Sequence, residues 1–384
     1  MTFYGIGTIL GAGIYALIGK VAGSAGLLAP LAFLVAAVVA AITALSFCQL
    51  VVVFPKSAGT AYYAEKGFKN KSFSKGVGYL VILTGIVSAA TLANAFFGYL
   101  HTFIELPRLA AVSLVILLMT AIAIWGIAES LWVAAVITVI EVVGLIIVIA
   151  LSSDSLTSLP EVWPSLFVPT SGGQIMMVLS GAFLAFYAFI GFEDMVNVVE
   201  EVKEPNSVMP KAILIAVAIC TLLYLLVAVV AVLGLPTQKL MTSNAPLKDL
   251  LVTKYPTAGL GIALISLFAI VNGILTQLIM SSRLLYGMAR QGNAPAAFAN
   301  VSPLTRTPIT ATLVIMLVLL PFALWFPLII LAKLTSFIIL IIFTIVNLSL
   351  WRLSARNEIP PDMKLPCYPR TGAFLSISLL LLQI

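Results

Sequence analysis

Charge is what this sequence has least of. Only 9% of its 384 residues are Asp, Glu, Lys or Arg, against ~25% in a typical soluble domain. Histidine occurs once, at His101, and cysteine three times, at Cys48, Cys220 and Cys367. That scarcity excludes a disulfide framework and any metal-ligand spacing. It also excludes a membrane enzyme built on clustered His, Cys or acids, so no catalytic residue, metal or other cofactor is expected. No Gly-x-x-x-x-Gly-Lys-Ser/Thr run is present, which argues against ATP drive within this chain. No basic segment with a small-residue cleavage site precedes the first apolar stretch, and no long polar linker divides the chain.

Apolar sequence fills the space that charge leaves. Hydrophobic residues make up 62% of the chain, and mean hydropathy is +1.17. Apolar runs of about twenty residues recur from end to end, as membrane-crossing helices require. A transmembrane barrel would show alternating segments of about ten residues instead. The expected fold is therefore an all-α multi-pass membrane protein with the lipid bilayer as its surroundings. Spans are predicted at about 2–21, 27–54, 77–100, 109–127, 131–151, 174–199, 212–233, 259–283, 309–325 and 334–351. A short interfacial helix is expected at 61–68, and 152–173 reads as a polar loop. A partial eleventh span begins near 372.

The net charge of +6 does not call for nucleic acid, because the basic residues sit mostly in short inter-span loops. With the amino terminus inside, fourteen of the twenty Lys and Arg residues fall in cytosolic loops. That is the bias expected of a cell-membrane protein with a cytoplasmic amino terminus.

One stretch organises the rest. Residues 5–13 hold four glycines, and each costs a helix roughly 1 kcal/mol relative to alanine. A helix opened in a membrane exposes backbone groups, which is tolerated only in a buried or cavity-lining place. Close helix packing through small residues is the competing reading. A second weak point lies at Ala185-Phe186-Tyr187-Ala188-Phe189-Ile190-Gly191-Phe192-Glu193, five spans on. An odd offset makes the two segments cross in opposite directions. Interrupted spans at matching places in two halves point to a transporter site. Half-helix N-termini suit a carboxylate and freed carbonyls suit an ammonium, so the two breaks together suit a zwitterionic amino acid. The expected layout is a ten-span core over 1–352, built as inverted repeats of about 1–151 and 174–352. A polar loop and partial span follow at 353–384.

The same residues carry a resemblance. Gly11-Ala12-Gly13-Ile14-Tyr15 resembles the Gly-x-Gly-Ile-Phe/Tyr signature of the amino acid–polyamine–organocation superfamily. Phe189-Ile190-Gly191-Phe192-Glu193 is similar to its sixth-span break. Glu200-Glu201-Val202-Lys203-Glu204-Pro205 with Pro210-Lys211-Ala212-Ile213, and Ser282-Arg283-Leu284-Leu285-Tyr286-Gly287, are similar to the segments that follow. Pro55-Lys56-Ser57-Ala58-Gly59-Thr60-Ala61 departs from the loop pattern after span two, at Ala58 and Ala61. The nearest likeness is to prokaryotic permeases related to the cationic amino acid transporters. The resemblance implies a secondary active transporter with discontinuous spans one and six, moving amino acids by alternating access with a proton as coupling ion. An exchanger of amino acids or polyamines, or a sensor or channel on the same scaffold, is the alternative. It implies a substrate carboxylate on the N–H groups of Gly11, Ala12 and Gly13. It implies the amine on carbonyls of Ile9 or Leu10 and of Tyr187, Ala188 or Ile190, with Gly191 at the break. Tyr187 falls where the family has an aromatic that closes over substrate; ordinary packing is the other reading. Family members usually have a leading segment and twelve spans, so a shortened chain is an expectation too.

Ionisable residues inside a membrane are costly and mark function by default. Glu141 lies mid-span in span five, where many proton-coupled relatives carry lysine. Desolvation favours the neutral form of a carboxyl, which suits a proton carrier; a neutral acid that only packs is the alternative. Glu193 reads either as part of an inner gate or as an interfacial cap.

Overall fold

The computed structural model describes residues 1–384 apart from 12, 57–58, 127–130, 360–367 and 382–384, with backbone alone at 131–134 and 368. Among the described residues the regular structure is helical throughout. Among the described residues, seven stretches are long and apolar enough to cross a bilayer. A pair bent by 55°, Ala135–Leu151 with Ser153–Phe167, makes an eighth, and Ile309–Trp325 is apolar but shorter.

The first break is real. Helix α1 (Thr2–Leu10) ends at Gly11, whose φ of 27° and ψ of −149° leave the helical region. Helix α2 (Gly13–Ala25) restarts two residues later. Gly26, with φ of 61°, then separates α2 from α3 (Ala29–Val53). A 41-residue apolar run from Gly13 to Val53 would extend ~60 Å at 1.5 Å per residue, twice the ~30 Å core of a bilayer. The turn at Gly26 divides that length into two. The expected interfacial helix is α4 (Gly59–Phe68), and α5 (Lys71–Leu100) follows it. Asn70 starts α5 by accepting the Phe73 N–H at 3.0 Å, the usual side-chain cap for an orphan donor. Next come α6 (Arg108–Trp125) and α7 (Leu131–Leu151).

Residues 152–173, predicted as loop, are largely helical. A 3₁₀ turn covers Ser153–Ser158 and α8 covers Leu159–Phe167. Pro160 and Pro164 mask this in the sequence; Pro160 takes the first turn, where proline is tolerated, and Pro164 lies inside the helix. Helix α9 (Gly172–Ala185) then opens into a 3₁₀ turn at Phe186–Phe189, a kink at Ile190 and Gly191, and a second 3₁₀ run at Phe192–Glu201. Helix α10 (Pro205–Gly234) starts earlier than predicted because Pro205 and Pro210 lie in its opening turns. Two short helices, α11 (Thr237–Thr242) and α12 (Pro246–Val252), occupy the link to α13 (Pro256–Arg290). The series closes with α14 (Ile309–Trp325), α15 (Leu328–Ala355) and α16 (Tyr368–Leu381).

Helix α3 packs along α10, and α5 packs along α13 and α15. Two polar clusters among the described residues, one buried at Asn347 and one half-buried at Arg108, pin these helices. Asn347 on α15 accepts from Ser46 at 2.6 Å and donates to Thr43 at 3.1 Å, both on α3. Arg108 donates to Asn94 at 2.7 Å and to the carbonyls of Ala323, Leu324 and Phe326 at 3.1–3.3 Å. A cation there offsets the negative end of α14.

Candidate functional site

The two broken segments lie against each other. A Cβ built on Gly13 would sit 2.8 Å from Ala188 Cα, one on Gly5 would sit 2.5 Å from Met195 Sδ, and one on Gly191 would collide with the Thr8 carbonyl. Numbering rises along one segment as it falls along the other, so the two run antiparallel. Gly191 adds a φ of 128°, which side-chain-bearing residues avoid. The glycines at these positions are therefore what lets the two breaks touch. Gly7 serves packing in the same way, facing Thr138 of α7.

A cavity of about 40 Å³ lies at the meeting point. Ile9, Gly11, Gly13, Tyr187 and Ile190 line it, together with Gly7, Thr8 and Asp194. The opposite wall is Ser88 and Leu92 of α5 and Asn272, Gly273, Thr276 and Gln277 of α13. At ~10–15 Å³ for each water it can hold, this space takes a few waters and no amino acid. Any such ligand enters only as the lining moves. A wider hollow of about 570 Å³, between the end of α5 and α11–α12, lies away from the breaks.

The backbone groups at the breaks are partly engaged. Gly11 N–H closes the last turn of α1 on the Gly7 carbonyl at 3.0 Å, which makes Gly11 a lining residue and not a free donor. Ala12 lies outside the described residues. Gly13 opens α2, where the first N–H groups of a helix have no partner within it. Ile190 N–H reaches the Tyr187 carbonyl at 3.2 Å, and Gly191 N–H reaches Glu193 Oε2 at 2.8 Å. Glu193 thus caps the second break from below. Leu10, Ala188, Gly191, Glu193 and Glu141 are buried but are not among the described lining residues.

Sequence reasoning missed the group that joins the two breaks. Tyr224 of α10 places its hydroxyl 2.8 Å from the Ile9 carbonyl and 2.9 Å from the Ala188 carbonyl. These are two of the carbonyls expected to meet an amine, and one phenolic proton is shared between them. Tyr15 of α2 donates to the Glu141 backbone carbonyl at 2.8 Å, and Tyr99 donates to the Tyr15 carbonyl at 2.9 Å. Glu141 of α7 is thus tied through its backbone to α2 and is not among the described lining residues of the cavity. The hydroxyl of Tyr187 meets Ser88 Oγ at 3.0 Å and the Ser88 carbonyl at 3.2 Å. That contact spans the cavity from span six to α5.

Comparison with known proteins decides the family. The profile described as "Amino acid permease" matches residues 1–381. The chain belongs to the amino acid permease family. This permease is 29% identical over 380 residues to "Cationic amino acid transporter 3, mitochondrial" of Arabidopsis thaliana, covering 93% of the chain and 61% of the relative. It is 27% identical over 393 residues to "Cationic amino acid transporter 4" of Mus musculus, covering 97% and 61%. It is 26% identical over 336 residues to "Branched-chain amino acid permease BcaP" of Bacillus subtilis, covering 81% and 70%. The permease thus spans about three fifths of the length of the plant and mouse relatives. Together with the run of apolar helices, the family match makes it a multi-pass membrane protein of the amino acid–polyamine–organocation superfamily.

Proposed function

We propose that this chain moves amino acids across a membrane by alternating access, with a proton as coupling ion. The observation that carries the reading is the meeting of two antiparallel broken helices at a small central cavity, Gly13 against Ala188 and Gly191 against Thr8. Under this reading the core is a five-plus-five inverted repeat over 1–352 with its amino terminus in the cytoplasm of a cell membrane. The substrate carboxylate takes the free N–H groups at the start of α2, from Gly13 onward, where the helix dipole favours an anion. The amine takes the carbonyls around Ile9 and Ala188 in place of the Tyr224 proton. Tyr187 closes over the substrate, and its bond to Ser88 holds the closed form.

Glu141 carries the proton in this scheme. Its backbone carbonyl accepts from Tyr15 of α2, so a change at Glu141 reaches the second half of span one through one side chain. The names of several relatives support transport as the activity.

The test is reconstitution in liposomes with labelled amino acids. Counterflow separates a carrier from a channel or sensor, because only a carrier accelerates uptake into pre-loaded vesicles. Glu141→Gln is expected to abolish uptake driven by an imposed proton gradient while leaving exchange within about twofold of the parent. Unchanged proton dependence in that variant removes Glu141 from the scheme. Absence of counterflow removes transport.

A further inference from the structure

The α13 wall of the central cavity is polar inside an otherwise apolar 35-residue helix. Asn272 and Thr276 fall on one face of it, since residues four apart stack, and Gln277 lines the same cavity. The buried Asn272 Oδ1 accepts no hydrogen bond from any described residue. Buried polar atoms are nearly always paired, and an exception calls for a partner from outside the fold. No described residue across the cavity reaches it. Helix α1 packs on α7, α10 and the 3₁₀ run at Phe192–Glu201, while α13 packs chiefly on α5, then on α12, α14 and α6, with α7 touching both. The cavity lies between them, with the breaks on one side and Asn272 on the other.

We propose that Asn272 selects substrates whose side chain carries a hydrogen-bond donor. The proposal rests on the amino acid reading above and names the class of side chain. With the α-carboxylate and α-amine engaged at the breaks, the side chain points across the cavity to α13. There it meets an oxygen acceptor backed by Thr276 and Gln277. Hydroxyl, amide, amine and guanidine side chains complete that oxygen. Aliphatic ones bury it unmade. No described lining residue is basic, and Asp194 is the one acid among them, so the lining offers an acidic side chain no opposite charge.

The distinction matters because a site built to hydrogen-bond a substrate group rejects the analogue that lacks it far more strongly than an apolar pocket rejects a mismatch in size. Matched pairs of similar shape read it directly: threonine against valine, asparagine against leucine, lysine against norleucine. Binding of all six to the purified full chain is measured by thermal stabilisation, since a ligand that binds only the native state raises its apparent stability. The donor-bearing member of at least one pair is expected to bind about 100-fold or more tightly than its partner. Asn272→Leu is expected to collapse that ratio to near unity. Asn272→Asp, which keeps the shape and an acceptor, is expected to preserve it and guards against a fold defect.

If Asn272→Leu weakens both members of a pair equally, the carboxamide reads a group common to all amino acids, and the assignment to the side chain falls. If the parent prefers valine, leucine and norleucine, it falls as well. If the parent binds none of the six, the amino acid reading itself has failed, a result distinct from either.

Discussion

At the scale of single residues, the hydroxyl of Tyr224 has the largest structural consequence. It touches one carbonyl from each broken span, and without it two buried acceptors face each other unpaired. Tyr224→Phe removes one oxygen and keeps the ring, with its contacts to Phe33 at 6.1 Å and Phe189 at 5.2 Å between centroids. Any effect therefore belongs to the hydroxyl. The expected loss is about 1–2 kcal/mol of stability, near the top of the range for side-chain hydrogen bonds inside membrane proteins. It is checked by the unfolding midpoint in detergent. Weaker stabilisation by amino acids is expected as well, because the carbonyls proposed to meet the amine lose their pre-set spacing. An unchanged midpoint and unchanged binding show that the two breaks are held by the glycine contacts alone.

The residues legible in the sequence were those whose type is itself unusual in its place. Four glycines in an apolar helix announce a break, and Gly11 duly takes a φ no helix uses. Glu141 announces itself by charge. Tyr224 did not, because an aromatic in an apolar helix reads as packing, and only the third dimension shows which carbonyls it reaches. Asn272, Thr276 and Gln277 were visible as polar residues in an apolar span, yet nothing along the chain pairs α13 with the breaks. The Gly11 N–H, expected as a donor to substrate, is taken in this structure for a local reason: the Gly7 carbonyl one turn back accepts it.

At the scale of elements, the far half of span one is clamped. Lys20 of α2 donates to the Met241 carbonyl at 2.6 Å and the Ser243 carbonyl at 3.1 Å. The Met241 carbonyl belongs to the last turn of α11, where carbonyls lack helical partners and the dipole is negative. Gly19 and Gly23, one turn apart on the same face, meet Leu240 and Met241. The α11–α12 link therefore rides on α2, and α2 cannot tilt without carrying it or stripping Lys20. Lys20→Met keeps the stem and removes both bonds. It is expected to cost about 1.5–3 kcal/mol, as for bonds to a charged group. Backbone hydrogen exchange in 240–245 is expected to rise severalfold, with little change along α3. Exchange that rises everywhere equally marks a general loss of stability and not a released clamp. This coupling was illegible in the sequence because the whole link read as loop. Helices as short as α11 and α12 give too few turns for a hydrophobic period to register.

For the molecule as a whole, ion pairs join its loops at the two ends of α5. At its start, Lys69 meets Glu358 at 2.9 Å and Arg356 meets the Gly67 carbonyl. At its far end, Gly98 abuts Asn244 in the link that leads to Lys254, and Lys254 pairs with Asp154. Each pair bridges loops that the charge bias assigns to one side of the membrane. The hydrogen bond from Lys254 holds the Asp154 carboxyl below the usual carboxylate range. Asp154 in turn holds the Lys254 ammonium above its ordinary value, and Lys69 lowers Glu358. A depressed carboxyl adds stability above its unfolded value and loses it as pH falls through the folded one. A raised ammonium adds stability below its unfolded value and loses it as pH rises through the folded one. The three shifts therefore act together across neutral pH and fail at the two extremes. All three groups are exposed to solvent, so their joint effect is small and screened by salt. The unfolding midpoint in detergent is expected to be flat through neutral pH and to fall on acidification below the ordinary carboxylate range. Lys254→Met is expected to return the Asp154 titration, followed by carboxyl NMR, to its ordinary position, and about 1 M salt is expected to do most of the same. A midpoint at neutral pH that drops sharply in Lys254→Met means the loop pair carries structural weight that its exposure does not predict, and the polar clusters at Asn347 and Arg108 are then not the main ties between the helices.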